Sequence, residues 1–437
     1  MVQGYLQRKA AWEVLLKVSS GIHSDRALAK VLDNYQFNPL DIAFITELSY
    51  GCIRYRKFLD LWIDHTSKLN HKKQPPKLRW LFHIGLYQLL KMDKIPFSAS
   101  ISTTVEVAKK TDLKGLSGVV NAVLRNALRK MEIKSNPLKI NNRIEKIAYL
   151  DSLPFWLVNE IIKWVGIDNA ELIAKSFNKQ PTIDLRINTR KISVEDMLRV
   201  LKINNIEAEP IKELVSGIEL KSKPRAIKNL PGYHDGNWMI QNRSSQWVAP
   251  LLEPKKGEKI LDACSAPGSK TTHIADLIED EGEIWSIDRS EIRLKILREN
   301  LKRLNITSVK DYKCDVTKLF EIKPELNQYF DKILVDAPCS GIGTFSRNPD
   351  ARWSLSLQKI KQLADLQMKL LINLLPLLNK KGTLVYSTCT ICPSENNLLI
   401  ENFLKKHTFL YLKSEKQILP SSNHLWDGFY AAIIKYK

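Results

Sequence analysis

The amino-acid sequence predicts a multi-domain protein: an all-α bundle, then a small α+β connector, then an α/β domain with a doubly wound, mostly parallel sheet. Apolar residues keep helical spacing from about Arg8 to Arg129, and mixed helical and alternating patterns follow between about 145 and 235. After Pro250, short apolar runs alternate with helical spans, as in parallel βαβ units. We therefore expect domains at 1–140, 145–235 and 236–437.

Two features divide the predicted bundle into separate helices. Pro75-Pro76 and Pro96 interrupt the helical pattern, and each is expected to mark a helix start or a turn. The polar segment SNPLKINN, residues 135–142, is predicted to be a linker.

The α/β domain is predicted from five apolar runs and a closing strand. The runs are KILDACSAPG, EIWSIDRS, VKDYKCD, DKILVDAPCSG and GTLVYSTCT. The closing segment DGFYAAIIKYK predicts an edge or inserted antiparallel strand. Because open α/β sheets bind ligands beyond the carboxyl ends of their strands, the residues that end each run are the candidate site.

Charge and hydropathy limit the function classes. The 437 residues carry a formal net charge of +20, and residues 1–140 hold 23 Lys and Arg against 11 Asp and Glu. Such a surplus suits a polyphosphate partner, although a generally basic proteome would also produce it. The longest nearly apolar run, 370–378, is far shorter than the roughly 20 residues that cross a bilayer. With no secretory leader recognisable at the N-terminus, we expect a cytoplasmic protein without a membrane partner.

Cysteine usage points to free thiols. Six cysteines in a chain of this length are too few and too scattered for a disulfide framework. Cys389 and Cys392 form a CxxC pair, but no second pair completes four zinc ligands, so no metal is expected.

The first three strand ends predict a nucleoside site. Asp262 ends the first run, and the small-residue turn after it opens a helix at about Thr271, whose backbone N–H groups could hold a carboxylate. The turn matches neither a Walker A loop nor a dinucleotide fingerprint. Asp288 could accept the ribose hydroxyls and Asp315 the adenine amino group. A carboxyl-bearing adenosine fits S-adenosylmethionine better than NAD or ATP, whereas the alternative is that each Asp only caps the next helix.

The last two strand ends add two thiols. Asp336-Ala-Pro-Cys339 ends the fourth run and Cys389 the fifth. Beside a methyl donor, a thiolate that adds to C6 of a pyrimidine makes C5 nucleophilic, and a nearby carboxyl group such as Asp336 could hydrogen-bond N3. The alternative for each thiol is a buried, inert cysteine.

These segments resemble the RNA (cytosine-5-)-methyltransferases of the Nol1/Nop2/Sun family. DACSAPGSKTTHIA, DAPCSGIGTFSRNPDARW and YSTCT are similar to three of its motifs, and LSYGCIRYRKFLD and GLSGVVNAVLRN to the NusB-like RNA-binding domain of its bacterial rRNA members. The resemblance implies a Rossmann-like class I methyltransferase fold with a seven-stranded, mostly parallel sheet, and an RNA-recognition-like connector. It also implies that the substrate is a cytosine of 16S ribosomal RNA, naked or partly assembled, with no obligate protein partner.

The resemblance also assigns roles. By motif, Cys389 is the nucleophile, Cys339 assists proton removal or product release, Asp336 contacts the cytosine N3/N4 edge, and Lys270 orients Asp336. The positions that line S-adenosylmethionine in the family correspond to Cys264, Ser265, Ala266, Pro267, Gly268, Ser269, Lys270, Asp288, Asp315 and Asp336.

Three positions carry further expectations. The family usually has Gly where Ser269 stands, so a left-handed backbone there would cost about 1 kcal/mol. Arg243 replaces a usual Asp, which leaves open whether this position contacts the methyl donor or an RNA phosphate. Phe429 is expected either to stack near the target base or to pack in a core strand.

The basic leader supplies candidate RNA contacts, and two other functions remain open. The candidates are Arg54, Arg56, Lys57, Lys72 and Lys73, although such charges also occur simply to solvate a helix surface. The first alternative function is an RNA-binding ribosome-assembly factor with weak or no catalysis. The second is a methyltransferase for a protein or a small molecule that uses the sheet but not the thiols.

Overall fold

The computed structural model describes residues 4–135, 137, 142–222 and 227–437. The chain packs as two compact units: unit 1 comprises Met1–Asn178 with Arg347–Ser354, and unit 2 comprises Lys179–Ser346 with Leu355–Lys437. Most of the predicted linker, 135–142, lies outside the described residues. The domain boundaries near 140 and 235 remain a prediction, since packing divides the chain after Asn178 instead.

Unit 1 is helical. Its first segment contains α1 (Tyr5–Ser19), α2 (Ser24–Leu32), α3 (Pro39–Arg54), α4 (Arg56–Thr66), α5 (Pro76–Lys91), α6 (Phe97–Lys109), α7 (Ser117–Glu132), α8 (Arg143–Leu150), α9 (Phe155–Val165) and α10 (Ile167–Ser176). Pro76 begins α5 and Pro96 directly precedes α6, as expected of residues without a backbone N–H. The Asn38 side chain caps α3 by accepting from the N–H groups of Leu40 and Asp41. The predicted all-α bundle is confirmed.

The connector sheet belongs to unit 2. It is formed by β1 (Ile183–Ile187), β2 (Ala208–Pro210), β3 (Gly217–Leu220) and β4 (Trp238–Ile240), with α11 (Val194–Ile203) between the first two strands. The strand order is β2-β3-β1-β4, and all three pairs are antiparallel. The Ser193 side chain caps α11 by accepting from the Asp196 N–H. This confirms the α+β connector.

A second sheet forms the rest of unit 2. The elements are α12 (Arg243–Gln246), β5 (Lys259–Asp262), α13 (Ser269–Leu277), β6 (Glu283–Asp288), α14 (Glu291–Leu304), β7 (Val309–Lys313), α15 (Leu319–Ile322), β8 (Phe330–Asp336), α16 (Ala351–Ser354, which lies in unit 1), α17 (Leu357–Leu374), β9 (Leu378–Thr388), α18 (Asn397–Lys406), β10 (Leu410–Ile418) and β11 (Phe429–Tyr436). The described strands form a seven-stranded sheet in the order β10-β11-β9-β8-β5-β6-β7. β5 through β9 pair in parallel, whereas β11 inserts antiparallel between β9 and β10. The Rossmann-like fold and the inserted closing strand are confirmed.

The parallel pairing of the central strands positions the candidate residues. β5, β6, β8 and β9 run in one direction, and apolar side chains on both faces pack into two core clusters. Asp262, Asp288 and Asp336 end their strands, and Cys389 follows the end of β9. These side chains therefore meet at the carboxyl edge of the sheet.

α16 shows why residues 347–354 pack in unit 1. Its Arg352 is fully buried and donates to the carbonyl oxygen of Phe177 at 3.0 Å and to Asn178 Oδ1 at 3.1 Å. Hydrogen bonding of this kind is what makes a buried guanidinium tolerable. Among the residues described, no helix is both long and apolar enough to span a bilayer.

Candidate active site

A cavity of about 290 Å³ opens at the carboxyl edge of the seven-stranded sheet, and residues of unit 2 alone line it. It brings together most of the residues singled out from the sequence, namely Cys264, Ser265, Ala266, Pro267, Ser269, Lys270, Asp288, Asp315, Asp336, Cys339 and Cys389. Gly268 contributes through its backbone rather than as a lining residue.

Gly268 makes the turn between β5 and α13 possible. Its φ of +101° is a conformation that other residues rarely adopt, and an added Cβ would lie 2.3 Å from Leu297 Cδ1. Ser269, by contrast, begins α13 and is not among the residues with positive φ. The expected cost at Ser269 is therefore wrong, because the left-handed position belongs to its neighbour.

Asp262 is a fully buried carboxyl group on the cavity wall. Its Oδ2 accepts from Thr271 Oγ1 at 2.7 Å, while Oδ1 has no partner among the described residues. Burial, with a smaller contribution from Asp336, raises the pKa of Asp262 to about 7. An orphaned buried oxygen on a cavity wall is suited to a ligand that donates a hydrogen bond or carries a positive charge.

Asp288 and Asp315 serve as local caps as well as lining residues. Asp288 Oδ1 accepts from the Ser290 N–H at 2.8 Å, and Oδ2 lies 3.1 Å from Arg293 Nη1. Asp315 accepts from Thr317 Oγ1 at 2.8 Å, a hydrogen bond that lowers the pKa of Asp315. Both carboxyl groups also face the cavity, so the capping interactions leave each of them accessible to a ligand.

Asp336 is held from two sides. Lys270 Nζ lies 2.6 Å from Oδ2, and Ser387 Oγ donates to Oδ1 at 2.9 Å. Ser387 is in place because the parallel register of β8 and β9 sets it directly opposite Asp336. Lys270 is almost fully buried whereas the Asp336 side chain is 30% exposed, so the carboxyl group stays accessible from the cavity.

The two thiols lie side by side. Cys339 Sγ is 3.4 Å from Cys389 Sγ. The hydrogen bond with Cys389 and burial together hold the pKa of Cys339 well above its usual range, so Cys339 keeps its proton. Burial also raises the pKa of another lining thiol, Cys264. Either sulfur can donate in this contact, and the retained proton of Cys339 allows it to donate to Cys389.

Sequence reasoning missed Glu395, which supports the loop that carries Cys339. Its buried carboxyl group accepts from the Ser340 N–H at 2.9 Å, from Ser340 Oγ and from Gln367 Nε2 at 3.0 Å. Gln367 also donates to the Pro338 carbonyl oxygen at 2.9 Å. The sequence feature that could have indicated Glu395 is its position as an acidic residue three positions after the CxxC pair. Arg293, the partner of Asp288, was missed as well.

Two other expectations are settled by burial. Arg243 is buried, and its Nη2 lies 2.7 Å from Asp184 Oδ1 and 3.0 Å from a carboxylate oxygen of Glu219. Neither of the two contacts considered for Arg243, with the methyl donor or with an RNA phosphate, is favoured, because two carboxylates already neutralise this guanidinium and it does not line the cavity. Phe429 is 4% exposed and packs in the core of the sheet, which favours the core-strand interpretation.

Known protein families match the chain in three stretches. The model of 16S rRNA methyltransferase RsmB/F matches residues 249–435. The NusB family matches residues 6–129, and the ferredoxin-like domain of RsmF/B-like methyltransferases matches residues 153–227. The matches follow the order of the helical, α+β and α/β parts.

Individual relatives extend the similarity to nearly the whole chain. The probable ribosomal RNA small subunit methyltransferase B of Synechocystis sp. is 39% identical over 94% of this chain and 95% of its own length. The ribosomal RNA small subunit methyltransferase B of Photorhabdus laumondii is 35% identical over 96% of each chain. A crystal structure of a methyltransferase homolog protein from Pyrococcus horikoshii is 28% identical with a TM-score of 0.60, and covers 68% of this chain and 100% of its own.

Proposed function

Since the chain belongs to the RsmB/F family of rRNA methyltransferases, we propose that it methylates C5 of a specific cytosine in 16S rRNA through a covalent Cys389–C6 adduct. The methyl donor is S-adenosylmethionine. The observation that carries the proposal is the pair of thiols 3.4 Å apart in the cavity that also contains Asp336 and the turn before α13. Methylation of a ring nitrogen or an exocyclic amine would not need two thiols there.

The lining residues fit the donor. The unpartnered Oδ1 of Asp262 suits the ammonium group, and the start of α13 suits the carboxylate. Asp288 and Asp315 keep free lone pairs for the ribose hydroxyls and the adenine amino group. When bound, S-adenosylmethionine supplies an electrophilic methyl group to C5.

Four side chains take part in the adduct step. The Cys389 thiol gives up its proton and its sulfur adds to C6 of the cytosine, while the electron pair of the C5–C6 double bond moves through the ring to N3, which takes up a proton in exchange. Asp336, fixed by Lys270 and Ser387, accepts hydrogen bonds from N3–H and the N4 amino group. The adduct leaves C5 as the nucleophilic carbon.

Release of the product explains the second thiol. After methylation, a base from the solvent removes the proton on C5, the electron pair restores the C5–C6 double bond, and the C6–S bond breaks to return the Cys389 thiolate. N3 then gives up the proton that it gained in the adduct step. The retained proton of Cys339 makes this thiol a hydrogen-bond donor to the departing sulfur rather than a base. Of the two predicted roles, the contact therefore favours assistance to product release.

The partner is RNA in which the target base leaves its stack. The surplus of positive charge in residues 1–140 suits the phosphate backbone, and flipping a base costs a few kcal/mol that backbone contacts offset. A ribosomal RNA substrate agrees with the cytoplasmic location predicted from the sequence.

The decisive experiment follows tritiated methyl groups from S-adenosylmethionine to deproteinised 16S rRNA of a strain that lacks the gene. Wild type and a Cys392→Ala control should label the RNA, because Cys392 does not line the cavity, and digestion should yield 5-methylcytidine. Cys389→Ala should bind S-adenosylhomocysteine but transfer no methyl group. Full turnover by Cys389→Ala would assign the chemistry elsewhere.

The second thiol has its own test. Cys339→Ala should accumulate a covalent protein–RNA adduct, visible as a denaturant-resistant shifted band that the Cys339→Ala/Cys389→Ala double variant lacks. If Cys339→Ala turns over normally without an adduct, Cys339 is structural. If wild type binds the RNA but neither labels it nor gains thermal stability from the donor, the assembly-factor alternative replaces the proposal.

A further inference from the structure

Unit 1 contains a second cavity, of about 420 Å³. Only residues of unit 1 line it, and they include Arg56, His71, Lys72, Arg79, Trp80 and Trp353. The cavity combines positive charge with aromatic surface, and the methylation chemistry uses none of these residues.

Arg56 is the distinctive group in this cavity. Its guanidinium carbon lies 5.4 Å from the ring centroid of Trp80 and 5.4 Å from that of Trp353. The two indoles hold the side chain by cation–π attraction. Among the described residues no oxygen accepts a hydrogen bond from Arg56, so its N–H edge remains available to a ligand.

The other charged groups around the cavity already have partners. Arg79 Nε donates to Asp60 Oδ1 at 2.7 Å, and His71 Nδ1 lies 2.7 Å from Asp64 Oδ2. Asp350 accepts from Ser24 Oγ at 2.9 Å.

Arg56 and Lys72 are therefore the cations on the wall that have no hydrogen-bonded or ion-paired acceptor among the described residues. Burial and the neighbouring Arg79 lower the pKa of Arg56 by more than the attraction of Asp60 raises it, so an anion would relieve an electrostatic cost there.

We propose that this cavity binds a phosphate group of the RNA backbone through Arg56 and Lys72. The inference rests on the proposed function for the identity of the polyanion. A planar guanidinium fork matches two phosphate oxygens, and an ammonium adds a point charge. The net positive charge of residues 1–140 favours a polyphosphate over an acidic peptide, because it attracts successive phosphates at long range.

The test measures binding of a fluorescein-labelled single-stranded oligouridylate to the full-length protein at several salt concentrations, without methyl donor. Arg56→Gln should raise Kd about threefold to tenfold and reduce the slope of log Kd against log salt by about 0.7, the value for one lost contact on a single strand. Lys72→Gln should act in the same direction. Arg125→Gln is the matched control, since this α7 arginine lies outside the cavity and bonds only Asn121.

Several outcomes would overturn the proposal. If the slope of log Kd against log salt is the same for Arg56→Gln and Arg125→Gln, Arg56 does not contact a phosphate. A thermal shift with inorganic phosphate that needs Arg56, together with unchanged RNA binding, would make the cavity a site for a free anion. Should Arg56→Gln fail to fold, Arg56→Lys keeps the charge without the fork, and it is expected to show an intermediate Kd.

The binding readout separates this inference from the proposed function. If wild type transfers no methyl group but the salt slope still depends on Arg56, the methylation proposal fails and the phosphate site stands. If wild type methylates 16S rRNA and Arg56→Gln leaves both KM for RNA and the salt slope unchanged, the phosphate site fails alone. The supporting result is a raised KM with kcat unchanged at saturating RNA.

Discussion

The two cavities hold their charged groups in opposite ways. In the unit 2 cavity, Lys270 pairs with Asp336 and Arg293 with Asp288, and Oδ1 of the acid Asp262 has no partner within the described part of the chain. In the unit 1 cavity, the charged groups that lack a hydrogen-bonded partner among the described residues are the cations Arg56 and Lys72. Unpaired charge is costly when it is withdrawn from water, as at the half-buried Arg56 and the buried Asp262, so each cavity is expected to receive its counter-charge from a ligand. The difference in sign predicts an ammonium group in one cavity and a phosphate in the other.

The largest expected effect is a loss of stability in unit 1, where substitution of the paired Arg79 is compared with substitution of Arg56, which has no ion-pair partner among the described residues. Burial alone would raise the pKa of Asp60, but His83 and Arg79 outweigh it and hold that pKa below its usual range. Arg79→Met leaves the buried Asp60 without its half-buried arginine partner and should lower the free energy of unfolding by about 3 kcal/mol. Arg56→Met should change it by less than about 1 kcal/mol, because no ion pair is lost and the methionine still packs on two indoles.

Urea unfolding followed by far-UV circular dichroism measures both variants. Equal losses for Arg79→Met and Arg56→Met would contradict the division into structural pairs and ligand-binding groups. That result would assign Arg56 to the packing of the bundle.

Breaking a pair in unit 2 should instead affect turnover. Lys270→Met leaves Asp336 with only Ser387 to orient it, so kcat should fall about 100-fold at saturating donor and RNA, with little change in KM for RNA. Lys302→Met on α14 is the control, since it is exposed and outside the cavity. An unchanged kcat for Lys270→Met would show that Ser387 and the strand register suffice.

The difference between the two units also explains which site residues the sequence could predict. In unit 2 the site residues end β5, β6, β8 and β9, so recognising the strands was enough to bring Asp262, Asp288, Asp336 and Cys389 to one edge. Ser269 was misjudged because a one-residue shift decides which position is left-handed. Arg243 was misjudged because its partner Asp184 lies 59 residues away in the chain.

In the helical unit 1, no comparable rule predicts from the sequence which side chains will meet. Arg56, Trp80 and Trp353 meet only through the tertiary packing of unit 1, and Trp353 comes from a distant part of the chain. The sequence showed the basic charge of this region but not which cations would lack partners. Glu395 in unit 2 could not be predicted for the same reason. It supports the loop of Cys339 through three hydrogen bonds, and residue spacing in the sequence does not indicate them.

The smallest expected effect tests the orphaned acid through pH. Because the folded-state pKa of Asp262 is about 7, this carboxyl group is mostly protonated at pH 6 and mostly ionised at pH 8. The Kd of S-adenosylhomocysteine should therefore fall about tenfold between these values, as the ionised carboxylate meets the ligand's ammonium group. The stability of the free protein should decrease over the same rise in pH. Because the pKa of Asp262 is raised on folding, the folded state binds the proton more tightly than the unfolded state does. The free energy of unfolding therefore falls as pH rises toward 7.

Calorimetric titration and thermal unfolding at both pH values measure the two trends. Asp262→Asn should flatten both, whereas Asp311→Asn, at an exposed ion pair with Arg298, should flatten neither. If Asp262→Asn keeps the full pH dependence of binding, another group receives the ammonium. With rising pH, donor-product binding is expected to tighten while stability decreases. A variant that merely loosened the fold would instead weaken binding and stability together, so the two explanations can be distinguished.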